Sequence, residues 1–355
     1  AGLALWTFLL TDSMPLRCWL LLMWRILRRR HVSTLMLIIL SFLCAFYLPA
    51  RLPARPPDTR IVQVEQIRSS YVVAEAKGQR IVVYGLQQPA FGDIIRVSGE
   101  WKTLHSNHNF GAFSFDEHMA KRGIRYRISS EESETLKAAD SLRARLFRHV
   151  WEYEEDHRAL LLSLIYGIQE EGSYLLSACG LHLSTLSWLK KLAGKRMAPG
   201  PCQALVVIFL AVSGTLTTFS DSLFRVLCVQ CAAMMPLGRR DQAGAGMLLV
   251  LLLRPYMADE MAFVLPFALR LAFLFNRSRL SARLLSLLVI IPVQLCCFHE
   301  VAIVQTVLFQ PLRMLYTLLY VPALLALFIP SCMPALLTLA ALLERLSAFA
   351  QTWVL

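Results

Sequence analysis

Beyond Leu160 apolar segments follow one another with only short polar breaks, at about 160–168, 173–189, 203–219, 222–237, 243–257, 260–276, 284–298, 301–309, 312–329 and 334–353. This succession constrains the fold more than any motif, because each segment must be buried in protein or in lipid. Earlier in the chain, Val32 to Ala50 carries no charge, close to the ~20 residues a helix needs to cross ~30 Å of hydrocarbon. Several later segments are shorter, which in a membrane chain points to re-entrant or broken helices around a cavity. Of the 355 residues 56% are hydrophobic and 17% charged, whereas a soluble domain runs near ~25% charged. The pattern predicts a membrane protein with roughly eight to ten crossings.

Charge is unevenly spread. Residues 51–158 carry 17 Lys/Arg and 15 Asp/Glu, and the remaining residues 19 and 9. The excess of positive charge therefore flanks apolar segments. With Arg28, Arg29 and Arg30 cytoplasmic, alternate loops place three further basic groups on that side: Lys190, Lys191, Lys195 and Arg196; Arg239 and Arg240; Arg277, Arg279 and Arg283. Leu3 to Leu27, interrupted by Asp12, Pro15, Arg17 and Arg25, reads as one irregular span or a broken hairpin. The long run after Arg30 reads as an uncleaved anchor. None of the nine cysteines falls within 51–158, and no CxxC pairing or His-rich tract suggests structural zinc. No metal or cofactor is expected.

Between the anchor and Leu160 the pattern changes to short β-like pieces: IVQVEQI (61–67), YVVAEA (71–76), QRIVVYG (79–85), DIIRVSGEW (93–101) and IRYRIS (124–129). Asp116 to Arg122 reads as one short helix. Five strands and a helix suggest a small barrel of the OB type, with a sandwich as the alternative. The expected organisation is N-terminal transmembrane segments at 1–50, an OB-like domain at 51–130, a charged amphipathic connector at 131–158 and a polytopic domain at 159–355.

Local signatures point the same way. Leu175 to His182, containing Ser177, Cys179, Gly180 and His182, closely resembles the S-G-L-H segment of the ComEC family, the inner-membrane DNA-uptake channels of natural transformation. Cys179 stands where that family has serine. Phe219 to Arg225 is similar to the family's F-s-x-S-x-x-R-A stretch, and Gly238 to Asp241 to its following basic loop. Pro255 and Phe263 to Phe267 resemble its later segments. Asn109 to Asp116 and Arg122-Gly123-Ile124 resemble elements of its external OB-like domain. Phe110, Val226 and Pro266 depart from the pattern. The chain ends at Leu355 without the H-x-H-x-D-H cluster of a metallo-β-lactamase-like domain, so no nuclease is expected in it.

The resemblance implies a polytopic α-helical membrane protein with a small all-β, OB-like extracytoplasmic domain, in the cell (inner) membrane, conducting single-stranded DNA into the cytoplasm. A separate cytoplasmic ATPase, DNA-receptor proteins and membrane lipid would be its partners. No G-x-x-x-x-G-K-[ST] supplies energy within the chain. The rival readings are a membrane-embedded hydrolase or glycolipid transferase and a small-solute transporter.

The pore or DNA-contact candidates are Ser177, Cys179, Gly180, His182, Asp221, Arg225 and His299. His182 lies three residues after Cys179 and shares a helix face with it, which fits a histidine bonded to a neighbouring helix, a pore-lining group or a catalytic dyad. Arg225 follows Asp221 by four residues, the spacing of an intrahelical pair, and equally suits a wall position facing phosphate. His299-Glu300 lacks the second histidine of a zinc protease and reads as a polar helix end. Arg254, Arg270 and Arg313 read as interfacial charges. On the β module, Arg125, Tyr126 and Arg127 are candidates for an exposed DNA-contacting face, since single strands are held by rings and cations together.

Overall fold

A computed structural model describes residues 52–105, 114–168, 194, 197–217, 219–275, 291, 319–320 and 322–351. The stretches 3–27 and 32–50, and Ser177, Cys179, Gly180, His182 and His299, lie outside them.

Strand β1 (Ile61–Ile67) buries Val62 and Val64 and then, three residues on, Ile67. The extra residue is a bulge between Val64 and Gln66 against β2 (Val72–Ala76), which restores the inward parity. Strands β2 and β3 (Gln79–Tyr84) form a hairpin over Lys77 and Gly78, both with positive φ as a tight two-residue turn requires. After β3 the chain gives β4 (Ile94–Val97), β5 (Trp101–Thr103), helix α1 (Phe115–Lys121), β6 (Tyr126–Ser129) and β7 (Ser133–Lys137). The sheet order is β5-β6-β3-β2-β1-β4-β7, antiparallel throughout except for β3 beside β6. Pairing of β5 with β6 continues through Ser98 and Glu131 into pairing of β4 with β7. The two ends of the sheet are thus joined by the chain itself.

Helix α1 begins at Ser114, whose hydroxyl accepts from the Glu117 amide, and ends at Gly123 in the left-handed region. There Gly123 N donates to Ala120 O and Ile124 N to Met119 O, a Schellman closure that brings Ile124 onto Met119. The helix covers Val73 and Val82 on the outer side of the sheet. Helix α2 (Leu142–Trp151), capped by Ser141, is pinned to the sheet by Asp93, which accepts from the Ala90 and Ala139 amides and from Arg148 Nη2 at 2.6 Å. Helix α3 (Glu155–Leu161) runs into a π turn at Leu162–Tyr166. The helices that follow are α4 (Pro199–Leu216), α5 (Asp221–Ala233), α6 (Arg239–Leu253), a 3-10 turn at Pro255–Asp259, α7 (Met261–Phe275) and α8 (Met333–Gln351).

The polytopic α-helical membrane fold with a separate small all-β domain is not what the structure has. Among the described residues one helix, α4, is long and apolar enough to cross a membrane, and α6 and α7 have 15 residues each. At ~1.5 Å per residue these two reach roughly 22 Å, short of a ~30 Å hydrocarbon layer. Nor does the β module stand apart. The sheet is mixed and has seven strands, and its inner residues Val62, Ile81 and Ile128 belong to one core with Phe147, Leu161, Tyr166, Ala323 and Leu336. Among the described residues the protein is an α/β structure in which α2, α3, the π turn and α8 share a core with the sheet, while α4 to α7 pack in separate clusters.

Candidate nucleic-acid interface

Side chains alternate across a strand, so residues flanking those in the core form the outer face of the sheet. On β6 these are Arg125 and Arg127; on β5, Lys102; on β3, Arg80, Val82 and Tyr84. The register sets Arg127 beside Val82 on one side and directly opposite Lys102 on the other. Two cations facing each other across a strand pair repel. Tyr84 and Tyr71 lie at the same end, ring centroids 6.2 Å apart, with Phe115 5.2 Å beyond Tyr71. Burial pushes the Tyr84 phenol above its usual value, while the Arg127 guanidinium beside it pulls the other way.

Of the three residues expected on an exposed DNA-contacting face, Arg125 is exposed and Arg127 half-buried, but Tyr126 is 6% exposed and belongs to the core. Its ring points inward because its neighbours Arg125 and Arg127 point outward, and its hydroxyl donates to the Ala54 carbonyl at 2.9 Å. The rings on the outer side are Tyr71, Tyr84 and Phe115 instead. Their signal in the sequence is parity: Tyr84 is two residues from Val82 along β3.

On this same side of the sheet, α1 carries a second group of charges onto the helices. Arg122, the C-cap of α1, places Nη2 2.9 Å from Asp221 Oδ2 and 3.1 Å from Glu260 Oε1. His118 Nδ1 is 3.0 Å from the same Glu260 oxygen. Arg254 Nη1 meets Asp221 Oδ1 at 2.8 Å, and the Tyr256 hydroxyl donates to that oxygen at 3.2 Å. The guanidinium of Arg122 lies over the Tyr256 ring and that of Arg254 over the Phe224 ring. Burial alone would raise the Glu260 pKa, but His118 and Arg122 together hold the carboxyl below its usual value.

Asp221 thus occupies the first turn of α5 as a junction between sheet module and helices, held by Arg122, Arg254 and Tyr256. Arg225, one turn on, is 8% exposed. Sequence reasoning singled out Asp221 and Arg225 but not Arg122, Glu260 or Tyr256 as members of one cluster. The usable signal was scarcity: Asp221, Arg254 and the Asp259-Glu260 pair belong to the few charges in these apolar segments, and such charges find one another.

Among the described residues no group of three or more His, Cys, Asp or Glu is placed to hold a metal ion. The described arrangement offers cations and rings on one face and, where α1 crosses that same side, a neutralised charge cluster joining it to the helices. Scans against protein-family models and searches of curated proteins and of solved structures find no match to this chain.

Proposed function

We propose that this protein handles single-stranded DNA at the cell membrane, as the strand-passing component of natural transformation, with the outer face of the sheet holding the strand. The observation that carries the reading is the in-register pair Lys102 and Arg127, with Arg125 two residues along β6 and the Tyr84 and Tyr71 rings at its side. Opposed like charges cost stability unless an anion lies over them. A phosphodiester strand supplies one anion per nucleotide, and aromatic rings beside the cations take its unpaired bases. The motif resemblance to the ComEC family supports the choice of DNA uptake as the setting. Membrane lipid, a separate ATPase and a DNA receptor are the partners this role calls for.

The test is anisotropy of labelled oligothymidylate titrated with the full-length chain in detergent micelles, against duplex of equal length. The single strand is expected to bind more tightly. In the double variant Lys102→Ala/Arg127→Ala the dependence of log K on log salt should flatten by about 1.4, two phosphate contacts at ~0.7 each. Wild-type salt dependence in that variant, or preference for duplex, overturns the reading. Transformation frequency in cells carrying the variant gives the matching readout.

A further inference from the structure

Past β6 the outer side of the sheet carries a further cation, Arg80 on β3. Arg80, on the same side of β3 as Val82, lines two adjoining depressions. One is bounded by Pro53 and Gly123 next to Arg125, whose Nη1 reaches the Pro53 carbonyl at 3.5 Å, and has Glu65 and Glu75 in its wall beside Arg80. The other, an open groove of about 370 Å³, lies between β1, the turn at Phe91 and Gly92, and the first turn of α2, where Arg143 forms part of its wall.

Arg143 differs from its neighbours on α2. Arg145 is paired with Asp140 at 3.0 Å and Arg148 with Asp93 at 2.6 Å. The Arg143 guanidinium instead lies 3.8 Å over the Phe91 ring, with no carboxylate against it among the described residues, and its Nε is shut from solvent without an acceptor. Burial lowers its pKa, and the proximity of the Tyr166 phenol only partly offsets this. A cation drawn out of water without an anion is costly, and a planar fork of donors fits a phosphate in two-point fashion. Across the groove Glu65 engages Arg80 at Nε, 2.8 Å away, which leaves the terminal nitrogens their donors. Within this groove two guanidinium groups share the one carboxylate of Glu65, and the remaining polar walls, Gln66 and Ser141, are neutral; Glu75, directly opposite Arg80 across the strand pair, lines the adjoining depression instead.

We infer that this groove is a phosphodiester subsite: a strand lying over Arg127 and Arg125 passes Arg80 and seats one phosphate between Arg80 and Arg143. The inference rests on the single-strand reading above and adds the route. It predicts a length effect. Oligothymidylates of about 5 nucleotides cover the outer face alone, whereas those of about 15 reach the groove, a range that one small β module spans. With the full-length chain, Arg143→Gln should leave the short oligomer's affinity unchanged and weaken the long one about tenfold, with a salt slope lower by about 0.7. Arg143→Lys, which keeps the charge but not the fork, should fall between.

Arg143→Gln binding the long oligomer as the wild type does, while Lys102→Ala/Arg127→Ala weakens it, overturns the route and leaves the face standing. Failure of the wild type to bind either oligomer removes both. A third arm uses vesicles of phosphatidylglycerol: if Arg143→Gln weakens vesicle binding and leaves the oligomers untouched, the groove takes a lipid phosphate and the inference is wrong. Should Arg143→Gln melt early, Arg80→Gln, at an exposed strand end, gives the same length test.

Discussion

Glu260 has its oxygen shared between Arg122 at 3.1 Å and His118 at 3.0 Å, and Arg122 is in turn shared with Asp221. Removing the shared cation leaves Asp221 to Arg254 and Tyr256 and Glu260 to His118 alone, so Arg122→Ala should cost about 1 to 3 kcal/mol, measured by denaturant unfolding, whereas Glu260→Gln should cost less. The pH dependence has a definite sign. Because the folded Glu260 pKa lies below the ordinary 4.5, its contribution is complete above that value and is lost as pH falls through the lowered one. Thermal midpoints recorded from neutral to acid pH should therefore drop below about 4.5 in the wild type, and less steeply in Glu260→Gln. At this scale the sequence was legible where parity was plain and opaque where partners are remote. Arg125 and Arg127 fall outward as strand alternation requires, and the same alternation turns Tyr126 inward. The meeting of Arg122 with Asp221, 99 positions away, has no local trace.

Elements were more legible than contacts. Strands β1 to β3, β6 and helix α1 lie within two residues of where apolar alternation and turn residues put them, whereas the single piece expected at 93–101 is two strands, β4 and the start of β5. Strand β7 lies within 131–158, expected as a charged amphipathic connector; all five of its residues, Ser133 to Lys137, are exposed and give no apolar period to read. It exists through backbone pairing with β4 and one ion pair, Arg96 to Glu134 at 2.9 Å. Among helices, the bend from α4 to α5 depends on Gly214: a Cβ there would lie 2.4 Å from the Phe219 ring. Gly214→Ala should destabilise by about 1 to 3 kcal/mol, and Phe219→Leu should recover part of that loss in a double-mutant cycle of unfolding energies. Additive losses would place the clash elsewhere.

On the scale of the whole molecule, hydropathy overstated the number of membrane-length helices among the described residues. The described apolar segments are cut into short helices by Ser220, Gly238 and Pro255, and these helices bury part of their apolar surface on one another. Composition reports how much must be buried and is silent on whether protein or lipid buries it. Phe91 sits where sheet and helices meet, 4.8 Å from the Phe147 ring and 5.8 Å from Tyr166. Phe91→Ala should cost about 3 to 5 kcal/mol, and hydrogen exchange should speed up together in β1, β2 and α2. Faster exchange confined to the sheet would show two independent units.

The way the sheet's ends are tied together leaves, among the described residues, rims of three residues in β5 and five in β7, the latter bearing Glu134 and Lys137. Rims so brief and so charged give a visiting polypeptide no template to extend. Recruitment by strand addition is closed to this module, and anything that docks there must be recognised through the side chains that stand out from its flanks.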